Sequence, residues 1–215
     1  MGRGLFVSYE GIEGAGKSTQ IALVAARLRA RGVPTLVTRE PGGTQLGAAL
    51  RALLLERRGG PVEPLVEALL MVADRADHVG RVLRPALAGG QVVLCDRHAD
   101  ATLAYQGGGS RLPLALLRQL NAVATGGLVP DLTVFLDLAP ERAAERLAAR
   151  GQTARDRFES EPTAFFERVR ACYLELAAAE PGRWLVLAAG RPPEELAAAA
   201  EDAIRRRLPP ELQRT

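Results

Sequence analysis

The chain has 215 residues, which is enough for one domain with a sizeable hydrophobic core. Hydrophobic residues make up 47% of it and charged residues 25%, proportions that exclude an intrinsically disordered protein. The formal net charge is only +3, and arginine and glutamate are interspersed along the sequence, so a nucleic-acid partner is not expected.

The two cysteines, Cys95 and Cys172, lie far apart and have no companion at metal-ligand spacing. We therefore expect neither a disulfide framework nor a zinc site. The apolar segment 5–9 is too short for the core of a signal peptide, and no apolar run is long enough to span a bilayer. These patterns predict a cytoplasmic protein with no membrane partner.

Short apolar runs alternate with longer segments of helical periodicity, a pattern typical of a parallel α/β sheet. The five predicted strands cover residues 5–9, 35–38, 92–95, 132–138 and 184–187. The predicted helices cover residues 19–31, 45–56, 64–83, 113–124, 140–149 and 163–179, and a terminal helix starts near Pro193. We interpret segments 59–61 and 107–109, which are rich in glycine, as loops.

Between the first predicted strand and the first predicted helix lies a glycine-rich loop. Its residues are Gly11, Ile12, Glu13, Gly14, Ala15, Gly16, Lys17, Ser18 and Thr19, and they match the pattern G-x-x-x-x-G-K-[ST]. Glycines let successive backbone N–H groups face phosphate oxygens, and the helix N-terminus adds partial positive charge. Lys17 would then reach the β- and γ-phosphates of a nucleotide, and the Ser18 hydroxyl would ligate Mg²⁺. The alternative is a tight turn that leaves Lys17 merely exposed.

Lys17 is the single lysine among 28 basic residues. A compact ammonium on a flexible stem suits the terminal phosphates of a nucleotide, although a bias toward arginine codons would explain the composition equally well. GTPases usually recognise guanine with N-K-x-D, which would need a second lysine. A regulatory GTPase is therefore disfavoured.

Asp96 and Arg97 directly follow the third predicted strand, at the edge where open α/β sheets bind ligands. A kinase that acts on an acidic acceptor must hold two anionic phosphates in line, which requires cations on both sides. The planar guanidinium of Arg97 could hold the acceptor phosphate, and Asp96 could contact the magnesium shell directly or through water. The alternative is a surface Asp–Arg pair.

Further short motifs occur in order along the chain: Arg39-Glu40-Pro41-Gly42-Gly43-Thr44, Ala73-Asp74-Arg75-Ala76-Asp77-His78, Asp96-Arg97-His98, Ala104-Tyr105-Gln106-Gly107, Pro130-Asp131-Leu132 and Phe135-Leu136-Asp137. With the glycine-rich loop, they resemble the thymidylate kinases over nearly the whole chain. The resemblance implies a three-layer α/β fold of the P-loop NTPase type, with a parallel five-stranded sheet flanked by helices. It further implies a single nucleoside monophosphate kinase domain over residues 1–215, transfer of the ATP γ-phosphoryl group to dTMP with Mg²⁺, and a homodimer. The apolar face of residues 64–83 is a candidate interface, although core packing would give the same pattern.

The resemblance also implies individual roles in binding dTMP. Glu13 would approach the sugar hydroxyl and phosphate, and Arg75 would donate to the thymine edge. Arg39 and Pro41 would line the nucleoside pocket, and Tyr105 and Gln106 would pack near the sugar and base. The alternatives are a solvated carboxylate at Glu13, a salt bridge from Arg75 to Asp74 or Asp77, and core positions for Tyr105 and Gln106.

Two positions depart from the family pattern. Met71 stands where many relatives have a phenylalanine that stacks on thymine, and its thioether could still cover a base. Ala101 stands where relatives often have serine, and the neighbouring Thr102 could supply a hydroxyl to the base instead.

Residues 150–161 form a charged segment between two predicted helices, which we interpret as a lid. The phosphate loop contains no arginine, whereas the lid carries Arg150, Arg155 and Arg157, which resembles the usual bacterial arrangement. We expect Arg155, with Arg150 or Arg157, to close on the transferring phosphoryl group. The alternative for each is a solvated charge.

Two other functions stay open on sequence alone. One is a kinase for another nucleoside monophosphate or for a deoxynucleoside. The other is a nucleotide-binding or switch module without catalysis, against which Asp96-Arg97-His98 and the missing N-K-x-D both argue.

Overall fold

The computed structural model describes residues 4–55, 62–149, 161–209 and 212. Its centre is a five-stranded parallel sheet with the strand order β2-β3-β1-β4-β5. The strands are β1 Leu5–Glu10, β2 Thr35–Arg39, β3 Val92–Asp96, β4 Leu132–Asp137 and β5 Trp184–Ala188. The predicted α/β class and five-stranded parallel sheet are confirmed.

The sheet is buried on both faces, which explains why its central strands are nearly continuous apolar runs. Along β3, Val92 and Leu94 pack into one hydrophobic cluster, whereas Val93 and Cys95 pack into the other. In β1, Val7 packs into the same cluster as Val92, and Phe6 packs into the same cluster as Val93. Because successive side chains of a strand point to opposite faces, helices cover both sides and form three layers.

The helices are α1 Lys17–Ala30, α2 Gln45–Leu55, α3 Pro64–His78, α4 Arg84–Ala88, α5 Ala99–Thr102, α6 Leu114–Thr125, α7 Pro140–Ala149, α8 Thr163–Ala179 and α9 Pro193–Arg205. The first helix begins at Lys17, two residues before its predicted start at Thr19. None of the described helices is both long and apolar enough to cross a membrane.

Two π-helical segments correct the sequence prediction. Val79–Leu83 joins α3 to α4, so the predicted helix 64–83 changes hydrogen-bonding pattern after His78 and continues beyond its predicted end. Leu103–Gly109 follows α5, so the predicted loop at 107–109 is wrong. The glycines there allow close packing against α8. A Cβ on Gly108 would lie 2.6 Å from the Cβ of Cys172, and one on Gly109 would lie 2.4 Å from the Phe165 ring.

The strand register brings the candidate residues to one edge of the sheet. Asp96 ends β3 and lies level with Tyr9 of β1 and Arg39 of β2. The glycine-rich loop leaves β1 at the same edge, because all strands run in the same direction. Residues from distant parts of the sequence therefore meet above the carboxyl ends of β1, β2 and β3.

Candidate active site

An open cavity of about 280 Å³ lies above this edge of the sheet. From the glycine-rich loop, its lining includes Glu13, Gly14, Gly16, Lys17, Ser18 and Thr19. The predicted residues that line it beyond the loop are Arg39, Pro41, Met71, Arg75, Asp96, Arg97, Thr102, Tyr105 and Gln106. Gly11, Ile12 and Ala15 do not line the cavity, and Ile12 and Ala15 are buried.

The loop curls because its glycines adopt backbone angles that other residues avoid. Gly11 and Gly16 have φ of 142° and 99°, and a Cβ on Gly11 would lie 2.8 Å from the carbonyl oxygen of Leu136. Gly16 then caps α1, whose first residue is Lys17. The N-terminus of a 14-residue helix thus faces the cavity with its partial positive charge.

Lys17 is buried within the loop, so the alternative of an exposed lysine on a simple turn is wrong. Its side chain is only 8% exposed, and Nζ donates to the carbonyl oxygens of Gly11 at 3.0 Å and Ile12 at 3.2 Å. Burial lowers the pKa of Lys17, and the nearby charge of Arg97 lowers it further. An anion in the cavity would favour the charged ammonium, which matches the expected phosphate ligand.

Ser18 and Asp96 bring two side-chain oxygen atoms together at one point of the cavity. The Ser18 hydroxyl donates to Oδ2 of Asp96 at 3.0 Å. Mg²⁺ prefers oxygen ligands and usually takes one or two from the protein, completing its shell with water and substrate phosphates. The two side chains therefore fit Mg²⁺ by their donor chemistry.

Arg97 occupies the centre of a partly buried hydrogen-bond cluster, so the alternative of a surface Asp–Arg pair is wrong. Its Nη2 lies 2.6 Å from Oε1 of Glu13 and 2.8 Å from the hydroxyl of Tyr105, and its Nη1 lies 3.3 Å from the hydroxyl of Tyr173. The guanidinium carbon also lies 4.6 Å from the centre of the Tyr105 ring. The cation is thus fixed in place while still lining the cavity.

Glu13 is held from two sides, so the solvated alternative is wrong for this residue too. Its second oxygen accepts a hydrogen bond of 2.6 Å from the Tyr105 hydroxyl, and its side chain is 15% exposed. Burial raises the pKa of Tyr105 well above its ordinary value, which keeps the phenol neutral and able to donate.

Arg75 is ion-paired, but its partner is neither Asp74 nor Asp77. The alternative of a salt bridge to one of these two residues is therefore wrong. The Nε of Arg75 donates to Oε2 of Glu40 at 2.8 Å. Its other nitrogens donate to Asn121 Oδ1 at 2.7 Å, Thr102 Oγ1 at 3.1 Å and the carbonyl oxygen of His98 at 3.2 Å. Arg75 is 2% exposed and forms part of the cavity lining, so its guanidinium is oriented before any ligand binds.

Glu40 organises the charges beneath Arg75. Its Oε1 lies 2.8 Å from Nδ1 of His78, and Nε2 of His78 lies 2.7 Å from the Thr38 hydroxyl. Burial opposes ionisation of Glu40, yet the charge of Arg75 and the hydrogen bond from His78 hold its pKa below the ordinary value. Burial lowers the pKa of neighbouring His98 to about 4, so this imidazole is neutral. The net result is a buried carboxylate paired with a buried guanidinium.

Gln106 and Met71 complete the wall near Arg75. Nε2 of Gln106 donates to Oε1 of Glu67 at 2.6 Å, which fixes the orientation of the side-chain amide. Met71 is partly buried against the main hydrophobic cluster and supplies an apolar surface to the cavity. This wall combines an apolar surface with fixed polar groups, a pattern suited to a flat heteroaromatic ligand.

Sequence reasoning missed several residues of the site. Glu40 lies within the motif that begins at Arg39, but the sequence does not predict a role for it. Arg51 belongs to none of the motifs, yet it lines the cavity and donates to the carbonyl oxygen of Pro41 at 3.0 Å. Tyr173 could not be found because it lies 76 positions from Arg97. The predicted lid arginines, Arg150, Arg155 and Arg157, lie outside the described residues.

Comparison with known proteins identifies the family of the chain. The family model for thymidylate kinase matches residues 9–200. Thymidylate kinase from Deinococcus radiodurans is 54% identical over 207 residues, covering 96% of this chain and 99% of the relative. The enzyme from Desulfovibrio desulfuricans is 52% identical over 205 residues, covering 93% and 94%. The crystal structure of thymidylate kinase from Ehrlichia chaffeensis superposes with a TM-score of 0.75 at 29% identity and covers 94% of this chain and 99% of that one. The chain therefore belongs to the thymidylate kinase family.

Proposed function

We propose that the cavity transfers the γ-phosphoryl group of ATP to dTMP, giving ADP and dTDP. The supporting observation is the position of two differently held cations, Lys17 in the loop and Arg97 at the end of β3, on the lining of one cavity. We call residues 11–19 the donor side, and Glu40, Arg75, Arg97 and Tyr105 the acceptor side. Phosphoryl transfer requires this arrangement, because two anionic groups must be brought into line.

On the donor side, the phosphates of ATP bind the backbone N–H groups of the loop and the N-terminus of α1. Lys17 exchanges its hydrogen bonds to Gly11 and Ile12 for the β- and γ-phosphate oxygens. Ser18 and Asp96 would hold Mg²⁺, which would supply positive charge to neutralise the phosphates. The protein contributes positioning and charge stabilisation and forms no covalent intermediate.

On the acceptor side, Arg97 binds the phosphate of dTMP bidentately and directs one oxygen toward the γ-phosphorus. Glu13 and Tyr105 hold the guanidinium and border the sugar. Arg75 donates to a carbonyl oxygen of thymine, and Thr102 and Gln106 lie beside it on the cavity wall. Met71 covers the ring in place of an aromatic side chain.

The lid adds positive charge beside the phosphates of ATP. Arg155 contacts the transferring phosphoryl group when segment 150–161 closes, with Arg150 or Arg157 as a second contact. An arginine in this role contributes a factor of roughly 10³–10⁵ in GTPases, so Arg155→Ala is expected to lower kcat strongly. Near-normal turnover of that variant would remove Arg155 from this role.

A substrate panel tests the function. ADP release is followed in a coupled assay with ATP and dTMP, dUMP, dCMP or dGMP, and a Lys17→Met preparation controls for contaminating kinases. The expected result is a clear preference for dTMP. A preference for another acceptor would overturn the substrate assignment, and ATP binding without transfer to any acceptor would leave a nucleotide-binding module.

We further propose that the protein works as a cytoplasmic homodimer. Leu65, Val66 and Leu69 on α3 are 45%, 48% and 47% exposed, and they form an apolar patch that a second copy could cover. Light scattering after size exclusion should give twice the mass of the chain, and Leu69→Glu should lower it. A monomer for the unmodified protein would refute this proposal.

A further inference from the structure

The backbone of Arg97 is unusual. Its φ is 70°, and Arg97 and Arg111 are the two non-glycine residues with positive φ in the part of the chain described. Residues other than glycine rarely adopt a positive φ, because the conformation is strained. Such a strained backbone persists only where the surrounding structure holds it in place. The turn at Arg97 must therefore be stabilised by neighbouring groups.

One carboxyl group, Glu10 at the end of β1, contacts this turn directly. The N–H of His98, the residue after Arg97, donates to Oε1 of Glu10 at 2.8 Å. The N–H of Arg97 donates to the carbonyl oxygen of Tyr9, the residue before Glu10 in β1, at 3.0 Å. The backbone is thus fixed on both sides of the Arg97 side chain by two consecutive residues of β1.

The same carboxyl group reaches the guanidinium through a second residue. Oε2 of Glu10 accepts the hydroxyl of Tyr173 at 2.8 Å, and the Tyr173 oxygen in turn accepts from Nη1 of Arg97 at 3.3 Å. Tyr173 comes from α8 and is wholly buried, with its ring stacked on Phe135 at 5.0 Å between centroids. Neither Glu10 nor Tyr173 lines the cavity.

We propose that Glu10 and Tyr173 are positioning residues for phosphoryl transfer, which together brace the strained turn and the guanidinium of Arg97. We call this pair the Arg97 brace. A carboxyl group is costly to bury, and burial raises the pKa of Glu10 to about 8. An apolar side chain would avoid that cost but could accept neither hydrogen bond. The proposal rests on the role of Arg97 in holding the acceptor phosphate.

Tyr173→Phe tests the brace with little change in shape, because it removes the hydroxyl and leaves the ring. Tyr9→Phe is the matched control, since the Tyr9 ring is equally buried and its hydroxyl has no partner among the described residues. We expect Tyr173→Phe to weaken dTMP binding about tenfold, as misplacement of a reacting group by a fraction of an ångström does, and to leave the KM for ATP unchanged. Tyr9→Phe should bind both nucleotides like the unmodified protein.

Glu10→Gln is the conservative partner variant. Its amide oxygen can still accept from His98 N–H, and its NH₂ group can donate to the Tyr173 oxygen, so a large part of the dTMP affinity should be retained. Glu10→Ala retains neither bond and should weaken dTMP binding more than Glu10→Gln. Equal losses in the two variants, or a matching loss of ATP affinity, would overturn the brace.

A double-mutant cycle separates positioning from general stability. The Kd for dTMP is measured by calorimetry for Tyr173→Phe, Arg97→Ala and both together, so that no turnover is needed. If Tyr173 acts through Arg97, Tyr173→Phe causes no further loss once Arg97 is absent. The same loss in both backgrounds would mean that Tyr173 is merely structural.

The cycle also distinguishes failure of the brace from failure of the proposed function. Unchanged dTMP affinity in Arg97→Ala would refute the role of Arg97 and the brace with it. A weakened Arg97→Ala beside an unaffected Tyr173→Phe would refute the brace alone.

Discussion

The donor side of the cavity is built from nine consecutive residues, whereas the acceptor side draws its side chains from α3, the second π-helical segment and the positions that directly follow β2 and β3. The donor side depends mainly on backbone groups, shaped by glycines with positive φ and by the start of α1. The acceptor side depends on side chains that pair with one another inside the protein. Its Glu40 pairs with Arg75, and its Arg97 pairs with Glu13 of the glycine-rich loop.

This difference has a consequence for stability and function. Backbone N–H groups at a helix terminus require no compensating charge, so removing one donor-side side chain leaves the local fold intact. Each acceptor-side charge, by contrast, pairs with an opposite charge that is buried or mostly buried. Substitutions there should affect folding and binding together, and those on the donor side should affect chiefly binding and turnover.

Breaking the Glu40–Arg75 pair should give the largest effect on stability. Glu40→Gln leaves the guanidinium of Arg75 without its anion at a position that is 2% exposed. Removing one partner of a buried pair costs about 3–5 kcal/mol in the free energy of unfolding, which urea denaturation can measure.

The matched control is Glu194→Gln, which breaks an exposed pair with Arg27 and should cost less than about 1 kcal/mol. Similar small losses in both variants would contradict the idea that the acceptor side is stabilised by buried charge pairing.

Arg97→Ala should come next in size. Losing a fixed donor to the reacting groups lowers kcat/KM by about 10²–10³, and the loss should appear with varied dTMP at saturating ATP. Arg191→Ala removes an exposed arginine paired with Glu195 and should leave the kinetics unchanged. An equal increase in the KM for ATP would contradict the assignment of Arg97 to the acceptor side.

A further prediction is a pH dependence of stability that comes from Glu10. Because the folded pKa is about 8 and the ordinary value is 4.5, the folded chain retains a proton that the unfolded chain has released. Stability from this group is therefore fully present below about pH 4.5 and declines as the pH rises toward 8, with a slope of at most about 1.4 kcal/mol per pH unit.

Urea denaturation of the unmodified protein and of Glu10→Gln from pH 5 to pH 8.5 measures this slope. The difference in stability between the two should shift in favour of Glu10→Gln as the pH rises. Parallel pH profiles would show that Glu10 titrates normally in the fold.

The same contrast explains what the sequence could predict. The donor side was predictable because its motif is contiguous and its position between a strand and a helix is a local property. The five strands were predictable because burial on both faces produces continuous apolar runs. Each of these two signals is contained in a short stretch of consecutive residues.

The partners on the acceptor side were not predictable in this way. Asp74 and Asp77 were natural candidates for Arg75 by proximity, but residues one and two apart on a helix do not face each other. Asp74 instead accepts from the N–H of Gly42 at 3.0 Å, and Asp77 pairs with Arg81. The true partner, Glu40, lies 35 positions away, directly after β2, and meets Arg75 only in the folded chain.

The π-helical segment Leu103–Gly109 was missed for a related reason. Three consecutive glycines favour a loop by local propensity. Their close packing against α8, which no local pattern encodes, holds them in a helical conformation.

The most direct test of the division between the two sides is calorimetric binding of each nucleotide to two variants. Lys17→Met should lose affinity for ATP by at least about tenfold while binding dTMP normally, and Arg97→Ala should show the reverse pattern. Equal loss of both nucleotides in both variants, or the opposite pairing of variant and ligand, would contradict the assignment of donor and acceptor sides.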